Sequence, residues 1–350
     1  MPLLYNENNL PEINTLRAKN YDNVNPADVE DIKRIGILTS GGDAPGMNAA
    51  IRSVVRAGRN AGFEVYGVQR GYHGLWKGEI KELTGKDVSE TLQRGGTFLM
   101  TARSKTFQED QGVLKGARMM ETYGLDALVV IGGDGSFKGA RALARLGMNV
   151  IGIPGTIDND IASTEYTIGY DTSMNTAMNC IDKLRDTASS HERCSVIEVM
   201  GRRAGYIALN VGIATGAEAI LIPEVPYDFN RDVLRIILDG RNRGKKHYIV
   251  IVAEGAGSAA DIAKQIEDAT EIESRPTILG HLQRGGSPTV RDRTTASLMG
   301  IHAIDCLLEK RFNRLIIEKD GRIGDVDIEE GLEMTKTIPE RDIANAKRLC

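Results

Sequence analysis

The sequence predicts an α/β protein built on largely parallel, doubly wound sheet, and three observations carry that reading. From Arg34 onward, short Ile- and Val-rich runs alternate with stretches of helical periodicity. A glycine-containing turn sits between most such runs and the helix that follows. The chain holds 39 glycines but only 10 prolines in 350 residues, where average usage would give about 25 glycines. Strands alternating with helices in this way make βαβ units. Excess glycine without a collagen period points to tight turns, or to backbone that must approach something closely. At about 150 residues per domain, the length suits two domains or one large α/β unit.

The elements follow in order. Ile35–Leu38 runs into SGGDAPG (40–46), after which Met47, Ala50, Ile51, Val54 and Val55 recur at the spacing of an amphipathic helix. Ala127–Ile131 is followed by GGDGS (132–136) and a helical stretch from Phe137 to Leu146, and Val150–Ile153 by PGTIDND (154–160). Further strands are expected at Val196–Val199, Ala219–Ile222, Ile249–Ala253 and Thr277–Leu279, with helices at 172–189, 230–243, 258–272 and 290–309. Ligands of such sheets bind beyond the carboxyl ends of the strands, where turns and helix N-termini gather. The three glycine turns, each carrying an aspartate, therefore mark the expected active face.

Composition excludes several classes. Lys and Arg number 44 against 48 Asp and Glu, a net charge of −4, so the chain as a whole offers no electrostatic reason to bind nucleic acid or an anionic membrane. The longest apolar runs are strand-sized, far below the roughly 18 residues of a membrane span. Cys180, Cys194, Cys306 and Cys350 form no CxxC pair and no metal spacing, which favours thiols in the cytosol over a disulfide framework or a zinc site. Residues 1–33 lack a basic start followed by an apolar stretch and read as an Asn-rich extension rather than a secretory signal.

Taken singly, the motifs are of uneven weight. GGDGSFKG is one residue longer than the dinucleotide fingerprint and reads as a nucleotide site without assigning NAD. NAD kinases and lipid kinases carry a similar turn, and an ordinary strand-to-helix turn is the plain alternative. Neither Gly85-Lys86 nor Gly244-Lys245 is followed by Ser or Thr, so no Walker A loop is present. In TIDND, Asp158 and Asp160 stand just after a strand end, where a carboxylate could take the proton of an attacking hydroxyl; two isolated aspartates would otherwise read as an Asx-rich loop. Arg193, Arg202, Arg203, Arg275, His281 and Arg284 lie near predicted strand ends, and guanidinium forks suit a phosphate monoester. Any one of them alone would be a solvated surface charge.

Together the strings ILTSGGDAPGMNAAIR, RGGTFLMTAR, ALVVIGGDGS, IPGTIDND, RDTASSHER, VIEVMGR and ILGHLQRGGSP resemble one family closely, the ATP-dependent 6-phosphofructokinases of the bacterial type. The match runs in order over about residues 34–348. The resemblance implies two Rossmann-like three-layer αβα domains with mainly parallel sheets and an active site in the cleft between them. The implied domains are a larger ATP-binding one (34–170 plus about 283–333) and a smaller fructose 6-phosphate-binding one (171–282 plus about 334–350), after the extension at 1–33. It implies transfer of the γ-phosphoryl of ATP, with Mg²⁺, to the 1-hydroxyl of fructose 6-phosphate, by a cytoplasmic homotetramer. Asp158 is then the general base beside Thr156 and Ile157, and Asp134 the Mg²⁺ ligand. Gly133, Asp134, Gly135 and Ser136 cradle the nucleotide with Gly41, Arg103 and Ser104, Arg103 meeting the phosphates. Met200, Gly201, Arg202, Glu254, His281, Leu282, Gln283 and Arg284 hold the sugar phosphate, Arg202 also serving catalysis, with Arg193 and Arg275 supplied by a neighbouring subunit.

Glycine at 135 and 155, where pyrophosphate-using relatives commonly carry Asp and Lys, implies ATP as donor. An ADP or phosphoenolpyruvate effector site is implied at Arg52, Arg56, Arg185, Glu218, Arg243, Lys245 and Lys246. Two departures stand out: Gly85-Lys86 replaces an Arg-Tyr pair of that effector site, and Ser104-Lys105 replaces a Phe-Pro pair beside the adenine. The competing readings are a pyrophosphate-dependent phosphofructokinase, a different GGDG kinase, and a catalytically silent metabolite-sensing homologue. The first is disfavoured by the two glycines. The second leaves TIDND and the arginines unexplained, and the third does not need the intact base, metal ligand and arginines.

Overall fold

The computed structural model describes residues 32–102, 104 and 106–349. The described chain forms two compact units: one comprises the residues up to Thr156, Ile161–Ile168 and Ser287–Met334, the other Ile157–Asp160, Gly169–Gly286 and the segment from Thr335.

The first unit contains β1 (Arg34–Ser40), α1 (Met47–Asn60), β2 (Glu64–Val68), α2 (Gly71–Lys77), β3 (Ile80–Leu83), α3 (Asp110–Thr122), β4 (Ala127–Gly132), α4 (Asp134–Arg145) and β5 (Asn149–Pro154). The second contains α5 (Tyr170–His191), β6 (Cys194–Val199), α6 (Tyr206–Thr215), β7 (Ala219–Leu221), α7 (Arg235–Asn242), β8 (Tyr248–Ala253), α8 (Ala259–Thr270) and β9 (Ser274–Ile278). The chain then returns to the first unit with α9 (Val290–Leu308), β10 (Arg314–Lys319), β11 (Arg322–Asp327) and α10 (Ile328–Glu333), and ends in the second with α11 (Glu340–Leu349).

The seven-stranded sheet of the first unit runs β11-β10-β5-β4-β1-β2-β3. Its five central strands are parallel, and β3 and β11 turn back antiparallel at the two edges. All six residues of β4 are buried, as expected where helices cover both faces of a parallel sheet. On one face α1 packs against α9 so tightly that a Cβ at Gly300 would lie 2.7 Å from the Ser53 Cβ. The opposite core gathers Leu38, Leu128, Val130, Phe137, Val150 and Leu315 under α2, α3 and α4. The four-stranded sheet of the second unit runs β7-β8-β6-β9, all parallel. One of its faces buries Val196, Val250, Val252, Ile262 and Ile266 together.

The expected domain limits differ from the observed units chiefly at two crossings, the others shifting by one or two residues. Ile157–Asp160 belong with the second unit because Arg202 pairs with Asp158 and Lys336 bonds the Asn159 carbonyl. Residues 283–286 also stay there, since the Gln283 amide is bonded to Met200 and Ser173. Among the described residues no helix is long and apolar enough to cross a membrane.

Candidate active site

In the first unit the chain leaves β1 for β2 on one side, while β4 lies on the other, so β1 and β4 flank a topological switch point. Ser40 and Gly132, at their carboxyl ends, are register partners. Such crevices are where open α/β sheets take ligands. Gly41 follows β1 at φ +87°, and its carbonyl accepts the Thr101 hydroxyl at 2.7 Å. After β4, a Cβ at Gly132 would come 2.4 Å from Ser136 Oγ and 2.5 Å from the Ser40 carbonyl. Only glycine lets these turns close on each other.

Gly133 caps the N-terminus of α4, whose first turn holds Asp134, Gly135 and Ser136. Unsatisfied N–H groups and the helix dipole make such an end a phosphate site. Among the described residues Ser136 Oγ, buried there, has no hydrogen-bond partner, while the Ser136 carbonyl accepts the Tyr72 hydroxyl at 2.6 Å. At Gly135 a Cβ would meet nothing within 4 Å among the described residues, whereas at Gly155 it would lie 3.0 Å from Ile131 and 3.1 Å from Met47. The two glycines thus face different surroundings, open space at 135 and core at 155.

Asp134 pairs with Lys138 one turn on, at 2.7 Å, and its side chain is 46% exposed. One accessible carboxylate beside a phosphate cradle fits Mg²⁺, which keeps several waters and takes only one or two protein carboxylates in addition to phosphate oxygens. Ser104 Oγ accepts the Phe107 N–H at 3.2 Å, capping a short 3₁₀ turn. Arg103 and Lys105 lie outside the described residues.

In the second unit, three adjacent parallel strands, β8, β6 and β9, deliver the expected sugar-phosphate segments at one end of the sheet. Beyond β6 the chain turns through Gly201 at φ +148° and Arg202 at φ +54°. A side chain at Gly201 is excluded because its Cβ would lie 2.5 Å from the Ala204 carbonyl. Glu254, just after β8, holds this loop from below, its Oε1 accepting the N–H groups of Gly201 at 3.1 Å and Arg202 at 2.6 Å. Hydrogen bonds to a carboxylate are among the stronger ones, and they offset the cost of a left-handed arginine. Gln283 is fully buried. Its Oε1 accepts the Met200 N–H at 2.8 Å and its Nε2 donates to Ser173 Oγ at 3.2 Å, so it braces the loop.

Asp158 is completely buried, with its carboxylate 3.2 Å from Nε of Arg202, whose side chain is 55% exposed. The loop bearing it carries Asn159 at φ +52°. A buried carboxylate and a half-exposed guanidinium in contact give one group suited to receive a proton and one suited to meet an incoming anion. His281 and Leu282 are exposed and, with Thr176, Ile278 and Gly285, line an open groove of about 700 Å³; Arg284 is half-buried.

Glu273 is a functional candidate that sequence reasoning missed. Its carboxylate binds Arg193 Nε at 2.6 Å and also Arg275, bringing both arginines to one spot beside β9, the edge strand. Hydrogen bonding from Arg193, chiefly, holds the Glu273 carboxyl below its ordinary range. Nothing in a lone glutamate between two arginines foretold the pairing. Of the expected effector residues, Arg185 and Glu218 gather around the α6–β7 turn: Arg185 donates to the Thr215 carbonyl, and Glu218 pairs with Lys245 and accepts the Ile249 N–H. Lys246 pairs with Glu192 at 2.6 Å, and Arg243 Nε donates to the Asp239 carbonyl. Arg52 and Arg56 stand on α1 of the other unit.

Comparison with known proteins agrees with this geometry. The phosphofructokinase (PFK) family pattern matches residues 34–307. A relative from Clostridium perfringens named ATP-dependent 6-phosphofructokinase 1 is 53% identical over 317 residues, covering 90% of this chain and 99% of its own. The solved phosphofructokinase of Saccharomyces cerevisiae superposes with a TM-score of 0.81 at 36% identity over 90% of this chain, which spans about half (47%) of the yeast chain. A pyrophosphate-dependent phosphofructokinase from Marinobacter aquaeolei, at 21% identity and a TM-score of 0.80 over 91% of both chains, shares the fold. The ordered motifs, the two α/β units and these likenesses together show that the chain belongs to the phosphofructokinase family.

Proposed function

We propose that this chain is an ATP-dependent 6-phosphofructokinase. It is a phosphotransferase with an alcohol acceptor, moving the γ-phosphoryl of ATP to the 1-hydroxyl of D-fructose 6-phosphate and yielding fructose 1,6-bisphosphate and ADP, a step of glycolysis. The observation that carries the reading is the buried Asp158 carboxylate paired with the accessible Arg202. A hydroxyl attacking phosphorus must lose its proton, and Asp158 accepts it. Arg202 offers its guanidinium to the oxygens of the transferring phosphoryl, where charge spreads in the transition state.

The turns at Gly41 and Gly133 and the N-terminus of α4 take the ATP phosphates, with the Ser136 hydroxyl as a further donor. Bound Mg²⁺ would neutralise charge on the β- and γ-phosphates, and Asp134 is the residue to hold it, in exchange for its ion pair with Lys138. Met200, Gly201, Glu254 and the His281–Arg284 segment hold the sugar phosphate, Glu254 and Gln283 chiefly by fixing the loop that presents Arg202. Open space at Gly135 supports ATP over pyrophosphate as donor. The names of the relatives support the same choice.

The working form is a cytoplasmic homotetramer in which Arg193 and Arg275, gathered on Glu273, serve a neighbouring subunit's sugar phosphate. An assay with fructose 6-phosphate and Mg²⁺, offering ATP or pyrophosphate in turn, tests donor and acceptor together. Turnover with pyrophosphate and none with ATP would contradict the reading.

A further inference from the structure

We propose that Lys336, from the segment that follows α10, is a positioning residue for Asp158. The inference rests on the reading of Asp158 as the general base and extends it to a residue far away in sequence. The backbone on either side of Asp158 is held by a side-chain donor. Thr167 Oγ1 donates to the Thr156 carbonyl at 2.7 Å. Beyond Asp158, Lys336 Nζ donates to the Asn159 carbonyl at 2.8 Å. Asn159 is left-handed, with φ +52°, a conformation asparagine tolerates but does not prefer. An ammonium donor makes the bond that holds it charge-assisted.

The same ammonium lies 5.0 Å from the ring centroid of Tyr206, within cation–π range. Tyr206 opens α6, immediately after the loop that presents Arg202. Burial, then Glu224 and Asp160, push the Tyr206 phenol up to about 12, so it offers Lys336 a neutral ring. One half-buried lysine therefore links the loop of the base to the helix behind the loop of its ion-pair partner. Losing it frees the Asn159 peptide to turn and carries Asp158 out of line with the acceptor hydroxyl. Both substrates keep their own contacts.

The test is a double-mutant cycle in the intact protein, measuring kcat and KM with fructose 6-phosphate, Mg²⁺ and ATP. Lys336→Met is expected to lower kcat by about 10- to 100-fold, the scale of a misplacement near 1 Å, with both KM values within about threefold. Lys336→Arg, which can donate to the carbonyl and stack on the ring, is expected to recover most of the rate. In an Asp158→Asn background, Lys336→Met should change kcat by less than about twofold, because residues acting through one group are not additive. An unchanged kcat for Lys336→Met, or an equal loss in both backgrounds, overturns the proposal. Should Asp158→Asn alone keep the parental kcat, it is the reading of the base that fails, and this inference with it. If Lys336→Met does not fold, Lys336→Gln, a donor without charge, enters the same cycle with the same two outcomes.

Discussion

The roles proposed for Asp158 and Gly135 rest on what surrounds each residue. Asp158 has no exposed surface, and its carboxylate meets a guanidinium that solvent can reach. Gly135 sits in the first turn of a helix whose N-terminus suits phosphate, with none of the described residues near its missing Cβ. A carboxylate there would face a like charge, worth about 3 kcal/mol at 5 Å for an effective dielectric of 20. Gly135→Asp is therefore expected to raise the KM for ATP by about a hundredfold while leaving the thermal midpoint unchanged; an unaltered KM would remove position 135 from donor choice. Gly155 is a different case, because any side chain there presses first on Met47 and Ile131.

The aspartates and glycines of the candidate site were legible in sequence as residues at strand ends, because phosphoryl chemistry calls for those residue types there. Glu273 and Lys336 were not. Each acts through a partner brought near only by folding, Arg193 at a separation of 80 residues and Asn159 at 177. Gln283 illustrates the converse: the motif that contains it was legible, but its task of bracing Met200 is visible only in the fold.

At the scale of elements, the strands beneath the glycine turns were read almost to the residue, since burial on both faces leaves an uninterrupted apolar run. The α6 helix escaped because YIALNVGIAT is apolar nearly all round and shows no helical stripe. The β10–β11 hairpin escaped although its turn is Asp320-Gly321, both residues at positive φ, the signal of a two-residue type I′ turn. That hairpin is locked by Asp325, whose carboxylate takes Arg314 at 2.6 Å, His302 at 2.9 Å and Arg311. Burial alone would raise this carboxyl, but the bonds from Arg311, His302 and Arg314 outweigh it and hold it well below the usual carboxylate range. His302, Cys306 and Asp325 cluster closely enough to suggest a metal site; two guanidiniums on the carboxylate and a Cys306 thiol pushed up to about 12 by burial argue against one.

A depressed carboxyl stabilises the fold above its unfolded value, about 3.9, and that contribution fades as pH falls toward the folded value. Asp325→Asn is expected to cost about 2 kcal/mol at pH 7 by taking the charged partner from the partly buried Arg314 and loosening Arg311, which keeps its pair with Glu309. The gap from the parent in thermal melts should begin to narrow below about pH 4 and shrink further as pH falls toward the folded value. A gap that stays constant with pH would assign the loss to packing instead.

For the whole molecule, the chain crosses between its two units at Thr156, Asp160, Ile168, Gly286 and Met334. The first of these crossings falls two residues before the proposed base, so the nucleotide turns and the base are joined by continuous backbone. Assembly enters only through the proposed service of Arg193 and Arg275 to a neighbour, which would make activity depend on the proposed tetramer. Diluting the enzyme while following light scattering should show specific activity falling in step with dissociation, and fully active single subunits would refute the shared site. In the proposed reaction ATP phosphorylates a sugar hydroxyl that is deprotonated by Asp158. It is tested most directly by kcat for fructose 6-phosphate with Mg²⁺ and ATP in the parent and in Asp158→Asn. ATP is expected to support turnover, and the substitution to lower kcat by about 10²- to 10⁴-fold, the range of general-base catalysis, with KM values within several-fold. Parental turnover in Asp158→Asn, or a parent that works only with pyrophosphate, would contradict it.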